Sequence, residues 1–115
     1  MKVRVYHGIP TTDHRMVHDI AKSAIKYAPA VTNNFAMAAW HALKHGLSSG
    51  YVLACSIDPT DAEYTFCRSK NDDKKVYKFD NDIPSACIME ILHVERNGEG
   101  MATICDREKV HSELL

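Results

Sequence analysis

Hydrophobic and polar positions alternate from the first residues of the chain. Val3 and Val5 stand against Lys2 and Arg4, and the run closes on Tyr6-His7-Gly8. That two-residue period predicts a half-buried strand. Gly8 permits a tight bend and lets a ligand come close to main chain. Pro10 then closes off continuation of the strand. His7 is therefore expected at a strand end, beside open backbone, where a polar group can meet a bound molecule.

The period then lengthens. Thr11, Thr12 and Asp13 form a capping cluster, and a helix is expected from about His14 to Tyr27, stopped by Pro29. Val17, Ile20, Ala21, Ala24 and Ala28 recur at helical spacing and predict a narrow apolar face of small residues, suited to lying close on a sheet. Ala30-Val31-Thr32 reads as a short extended piece. Asn33 or Asn34 caps a second helix from about Phe35 to His45, which Gly46 ends. Its apolar face is Phe35, Ala38, Ala39, Ala42 and Leu43, with Trp40 and His41 on opposite borders.

From Tyr51 the pattern is strand-like. Tyr51 to Ile57 is almost continuously apolar and predicts a central strand buried on both faces. Asp58-Pro59-Thr60-Asp61 breaks it. Tyr64–Cys67 and Val76–Phe79 are further short strands, separated by a polar, charged loop that includes Asp72 and Asp73. A turn around Pro84 leads to a long strand from Cys87 to Val94. Asn97-Gly98 is the strongest hairpin signal and returns into Met101 to Cys105. The tail from Asp106 is expected to make one amphipathic turn or to fray. Helices early and strands late predict one α+β domain over 1–115 rather than a doubly wound parallel sheet.

Composition narrows the function classes. The chain has 115 residues, enough for one core, and a formal net charge of −1 with histidines neutral. No whole-chain field draws it to nucleic acid or an anionic membrane. There is no apolar run of membrane-spanning length and no signal-peptide core, so a cytoplasmic location is expected. Cys55, Cys67, Cys87 and Cys105 are far apart, form no CxxC, and are expected to be reduced, buried small hydrophobes.

Candidate chemistry is sparse. His14 with His18 and His41 with His45 have helical i, i+4 spacing, which suits a metal. Neither pair has the Glu of a metalloprotease motif, no cysteine falls within ligand spacing, and no metal site is expected. Nucleophile-elbow, phosphate-loop and dinucleotide-fingerprint patterns are absent.

The order of the pieces carries more. A strand ends Tyr6-His7-Gly8; a helix and a short Val31-Thr32 follow; then come a helix with Ala38-x-x-His41-Ala42 and a Gly50-Tyr51-Val52-Leu53 strand. Over roughly 3–95 this series resembles the ADP-ribosyltransferase fold, the group of diphtheria-toxin-like and poly(ADP-ribose) polymerase-like enzymes and many small bacterial and phage effectors. The resemblance implies two small packed β-sheets forming a split NAD-binding cleft, with two early helices. It implies that His7 hydrogen-bonds the ribose next to nicotinamide, that Gly8 meets the carboxamide through its backbone beside Tyr6, and that Thr32 ends the second core strand. The family's helix aromatic falls at His41, with Trp40 beside it. The family's acid falls at Asp73, with Asp72 close by, where a Glu is more usual. A carboxylate there would stabilise the positive charge that builds on the ribose as the nicotinamide bond breaks, while His7 and a stacking ring hold the cofactor for attack. The implied activity is mono-ADP-ribosyl transfer from NAD to a protein target, by a small effector, toxin or phage-encoded inhibitor; nucleic acid is a less favoured target. The alternatives are a catalytically inactive binding module of the same fold that regulates a partner protein, and a small metal-binding protein using the two His pairs.

Overall fold

The structure is a computed structural model that describes residues 1–67 and 74–110. Among these residues the chain order is β1 (Val3–Ile9), α1 (His14–Lys22), β2 (Ala24–Ile25), β3 (Ala30–Thr32), α2 (Phe35–Ala42), β4 (Ser49–Ile57), β5 (Tyr64–Cys67), β6 (Lys75–Lys78), β7 (Ile83–Pro84), β8 (Ile88–Arg96) and β9 (Ala102–Lys109). Seven strands form one sheet in the order β5-β6-β3-β1-β4-β8-β9, and β2 pairs with β7 in a second, two-stranded sheet. Every pairing is antiparallel. The class is α+β with two early helices, and the two sheets are very unequal.

Two facts about β1 organise the rest. It pairs with β4 from Val3↔Ile57 through Ile9↔Tyr51, but it meets β3 only at Tyr6↔Thr32. Past Tyr6, β1 and β3 therefore part, and a notch opens in the sheet at His7. The alternation of β1 and β4 also divides the core in two. Val5, Ile9, Tyr51, Leu53 and Cys55 pack on Val17 and Ala21 of α1. Val52, Ala54, Leu92 and Val94 pack on Ala38, Ala39, Ala42 and Leu43 of α2. A strand covered on both faces must be apolar at consecutive positions, which is why β4 reads as an unbroken run.

Helix α2 lies unusually close to the sheet. A β-carbon on Gly8 would run into the Ala38 carbonyl oxygen and stand 2.9 Å from the Ala42 nitrogen; one on Gly50 would meet the Ala42 carbonyl. The glycine at position 8 thus makes room for a helix. It also borders the recesses on either side of His7.

Several expected boundaries move. Helix α1 stops at Lys22, five residues short, and there the Ser23 hydroxyl donates back to the Asp19 carbonyl at 2.9 Å. Ala24 and Ile25 instead pair with Pro84 and Ile83. Tyr27 and Ala28 then adopt left-handed φ values of 68° and 52°. They are held there from the β6–β7 side: Asp82 accepts from the Tyr27 N–H, and Lys78 donates to the Ala28 carbonyl. Helix α2 is capped by Asn34, whose side chain accepts from the Met37 N–H at 2.9 Å, and ends at Ala42. His45, at φ 62°, lies beyond that end, so His41 and His45 do not share a helix face. The β8–β9 hairpin uses a five-residue loop in which the Asn97 side chain accepts from the Glu99 and Met101 N–H groups, and Gly100 takes the positive φ. The tail expected to turn or fray continues as strand to Lys109. No helix among the described residues is long and apolar enough to cross a membrane.

Candidate functional site

The notch beside β1 is lined from three directions. On the α1 side a cavity of about 430 Å³ is bounded by His7, Ile9, Asp19, Ile20, Tyr27 and His41. On the α2 side a smaller recess of about 170 Å³ is bounded by Tyr6, His7, Gly8, Thr32, Met37 and His41. His7 and His41 line both, so the two recesses meet where β1 and β3 separate. A third depression shares His41 and adds Asn34, Trp40, Lys44 and Lys74.

His7 is half-buried, and its Nδ1 lies 3.1 Å from the Ala30 carbonyl oxygen. A carbonyl can only accept, so Nδ1 carries the proton. In the neutral ring Nε2 is then an acceptor, suited to a hydroxyl donor. Burial lowers the His7 pKa and the Ala30 carbonyl partly opposes it, so the ring is biased toward its neutral form. His41 is exposed. Partial burial lowers its pKa, and charges on Lys44, His7 and His45 add to the effect.

The remaining expected residues fall in different places. Thr32 is buried, and its hydroxyl is committed to backbone: it donates to the Lys75 carbonyl at 2.8 Å and accepts from the Asn34 N–H at 3.1 Å. It shapes the recess by tying β3 to β6. Tyr6 meets the edge of the Phe35 ring, with centroids 5.5 Å apart, and carries Arg4 over its own ring. Trp40 is 67% exposed, with Lys44 5.6 Å from its ring centre, and lines the third depression rather than the His7 cavity. Asp72 and Asp73 lie outside the described residues. Glu90, another acid on a strand, is engaged by Arg4 at 2.7 Å and Arg107 at 3.4 Å.

Two residues on the cavity were not singled out from sequence. Asp19 is an acidic residue on the lining of the His7 cavity. Tyr27, 93% exposed, stands at its border on strained backbone. Helical periodicity had assigned both to α1; only the early stop at Ser23 separates Tyr27 from that helix.

A second polar cluster occupies the α1 face further along the sheet. His14 and His18 each place Nε2 against one oxygen of Glu108, at 3.0 and 3.1 Å. Tyr51 stacks on His93 with ring centres 4.8 Å apart, and the His93 Nδ1 is 3.2 Å from the Cys105 sulfur. Cys105 is exposed, not the buried small hydrophobe expected of it; Cys55 does fill that role, and burial pushes its thiol up to about 12. The Cys105 thiol is also pushed up, first by partial burial and then by Glu95.

Comparison of the chain with family models, with curated proteins and with solved structures finds no match to any of them.

Proposed function

We propose that the chain is a mono-ADP-ribosyltransferase that uses the notch between β1 and β3 to hold NAD and transfers ADP-ribose to a protein target. The observation that carries this reading is the convergence of His7, Thr32 and His41 on one notch. These residues are 25 and 9 positions apart in sequence, and with Tyr6, Gly8 and Trp40 they are the ones for which the family resemblance implies cofactor contact; of the six, Trp40 alone is not on this recess. The tautomer set by Ala30 gives His7 an acceptor nitrogen for a ribose hydroxyl. Tyr27 offers the stacking ring that the helix position lacks. Lys44 and Lys74, on the depression that shares His41, offer positive charge for the diphosphate.

The reaction also needs a carboxylate beside the ribose, to stabilise the cation that forms as nicotinamide leaves. The family resemblance implies Asp73 for that role, with Asp72 as its neighbour. Asp19 is the acid on the described part of the cavity.

Labelled NAD incubated with the protein and a cell lysate tests the proposal. A labelled protein band that is lost in His7→Ala supports it. Loss in Asp73→Asn with retention in Asp19→Asn keeps the acid at position 73, and the reverse moves it to Asp19. The second reading is an inactive binding module, favoured by the imidazole at position 41 and by the outward-facing Trp40. It predicts no labelled product and no NAD-dependent rise in thermal stability. A bound ligand would give such a rise in proportion to the logarithm of its concentration.

A further inference from the structure

We propose that His93, Glu95 and Cys105 form a binding site for a borderline-soft divalent cation, with zinc the best match to the donor set. One donor atom from each of the three side chains lies within 4.8 Å of the others. A tetrahedral ion with bonds of about 2.0–2.3 Å keeps its ligand atoms roughly 3.3–3.8 Å apart. The observed 3.2 Å between Nδ1 and sulfur is close to that spacing, and small side-chain rotations complete the set.

The local fold prepares this arrangement. His93 and Glu95 are two apart on β8, so both project from the α1 face. On β9 the register shifts: His93 pairs with Asp106 and Val94 with Ile104, which leaves Cys105 as the extra residue of a bulge. A bulge re-aims a side chain that regular pairing would turn to the other face. Here it turns sulfur toward His93. Stacking on Tyr51, at 19° between planes, fixes the imidazole.

The chemistry of the set selects the ligand. Imidazole nitrogen, carboxylate oxygen and thiolate sulfur together suit zinc, whereas sulfur is a poor ligand for magnesium or calcium. A carboxylate against the sulfur disfavours a free thiolate, so the group is not built as an activated nucleophile. A cation that displaces the Cys105 thiol proton to solvent would be held by thiolate and carboxylate together. Three protein ligands leave a fourth position for water or another molecule. The site lies on β8 and β9, separated from β1 by β4, and stands independently of the proposed transfer reaction.

Tag-free protein, reduced with a non-thiol reductant, is titrated with Co²⁺ and then with Zn²⁺ against a chromophoric chelator. The expected result is one equivalent bound with a sulfur-to-cobalt charge-transfer band that zinc displaces. Cys105→Ser abolishes the band and weakens zinc binding about 100-fold or more, beyond the usual effect of losing an outer partner. Glu95→Gln weakens it roughly tenfold or more. A His14→Ala/His18→Ala double variant retains both band and affinity. Absence of binding, binding without the sulfur band, or an unchanged band in Cys105→Ser overturns the proposal. Circular dichroism of Cys105→Ser establishes that the exposed edge-strand substitution leaves the fold in place.

Discussion

Gly8 lies so close beneath the Ala38 carbonyl that no side chain fits between strand β1 and helix α2. Alanine is intrinsically better than glycine in a strand, by roughly 0.5–1 kcal/mol. Here the obstructing atoms are backbone on both sides, and neither the central strand nor the helix above it can shift cheaply. Gly8→Ala is therefore expected to lower stability by about 1–3 kcal/mol, and Gly50→Ala, under the Ala42 carbonyl, by a similar amount. Gly98→Ala, with nothing within 4 Å, should be near neutral. Urea midpoints for the three variants check this. Equal midpoints for Gly8→Ala and Gly98→Ala would mean that α2 is not seated as described.

His7 makes stability depend on pH in a definite direction. Its folded pKa lies below the ordinary 6.5 because burial disfavours the charged ring. Above 6.5 both folded and unfolded chains hold it neutral, and it contributes no slope. As pH falls through 6.5 the unfolded chain takes up the proton first and is stabilised relative to the folded one. Stability should fall from pH 6.5 downward until the folded pKa is passed. His7→Asn, whose amide can still donate to the Ala30 carbonyl, should lose that part of the slope. Urea denaturation of both proteins at several pH values between 5 and 8 compares the slopes. A wild-type stability that rises on acidification relative to His7→Asn contradicts the assignment.

The elements that periodicity located were those whose environment is set by one repeating rule. β1 alternates up to Val5 because Lys2 and Arg4 face solvent there; β4 does not because α1 and α2 cover it on both faces. A cap at Asn33 or Asn34 was legible as a short polar side chain before an apolar run, and the structure places it at Asn34, which accepts from the Met37 N–H. The errors fall where a distant residue outweighs local preference. Residues 24–28 carry helical spacing, but Ile83, Asp82 and Lys78 claim them. The tail carries no strong strand signal, yet β8 templates it residue by residue as far as Lys109. The notch was legible only in part. β1 runs on through Ile9, so His7 lies within the strand and borders the notch because pairing with β3 stops at Tyr6; Asp19 reaches it from inside α1, and Tyr27 only because that helix ends at Lys22. The His93–Glu95–Cys105 group was out of reach, because a bulge in a hairpin leaves no local pattern.

If the notch holds NAD, the aromatic residues near it divide by position. Tyr27 borders the His7 cavity and Trp40 does not. Tyr27→Asn removes the ring while tolerating the positive φ, and should weaken NAD binding roughly fivefold, the effect of about 1 kcal/mol of stacking. Trp40→Ala should change affinity less than about twofold, as for a surface substitution away from the contact. Isothermal titration of the two variants gives the ratio. A larger loss at Trp40 than at Tyr27 would move the cofactor's ring to the outer depression.

Glu90 ties the sheet together across β1, β8 and β9, accepting from Arg4 at 2.7 Å and from Arg107 at 3.4 Å. Burial raises its pKa, but the hydrogen bond and charge of Arg4, with help from Arg107, outweigh that and hold it below the ordinary carboxylate range. A carboxylate depressed in the folded state contributes stability that is fully present above its unfolded pKa of about 4.3 and is lost as pH falls through the folded value. Both arginine side chains are about half exposed, at 44% and 56%, so solvent screens the pair. Glu90→Gln is expected to cost about 1 kcal/mol at neutral pH. The gap to wild type should begin to close as pH falls through the unfolded value and be gone once pH passes the folded one, where the wild-type carboxyl also becomes neutral, and it should narrow in high salt. Urea midpoints at pH 7 and pH 3.5, each at low and high salt, resolve the two dependences. A gap that stays constant across both would show that Glu90 acts through packing and not through its charge.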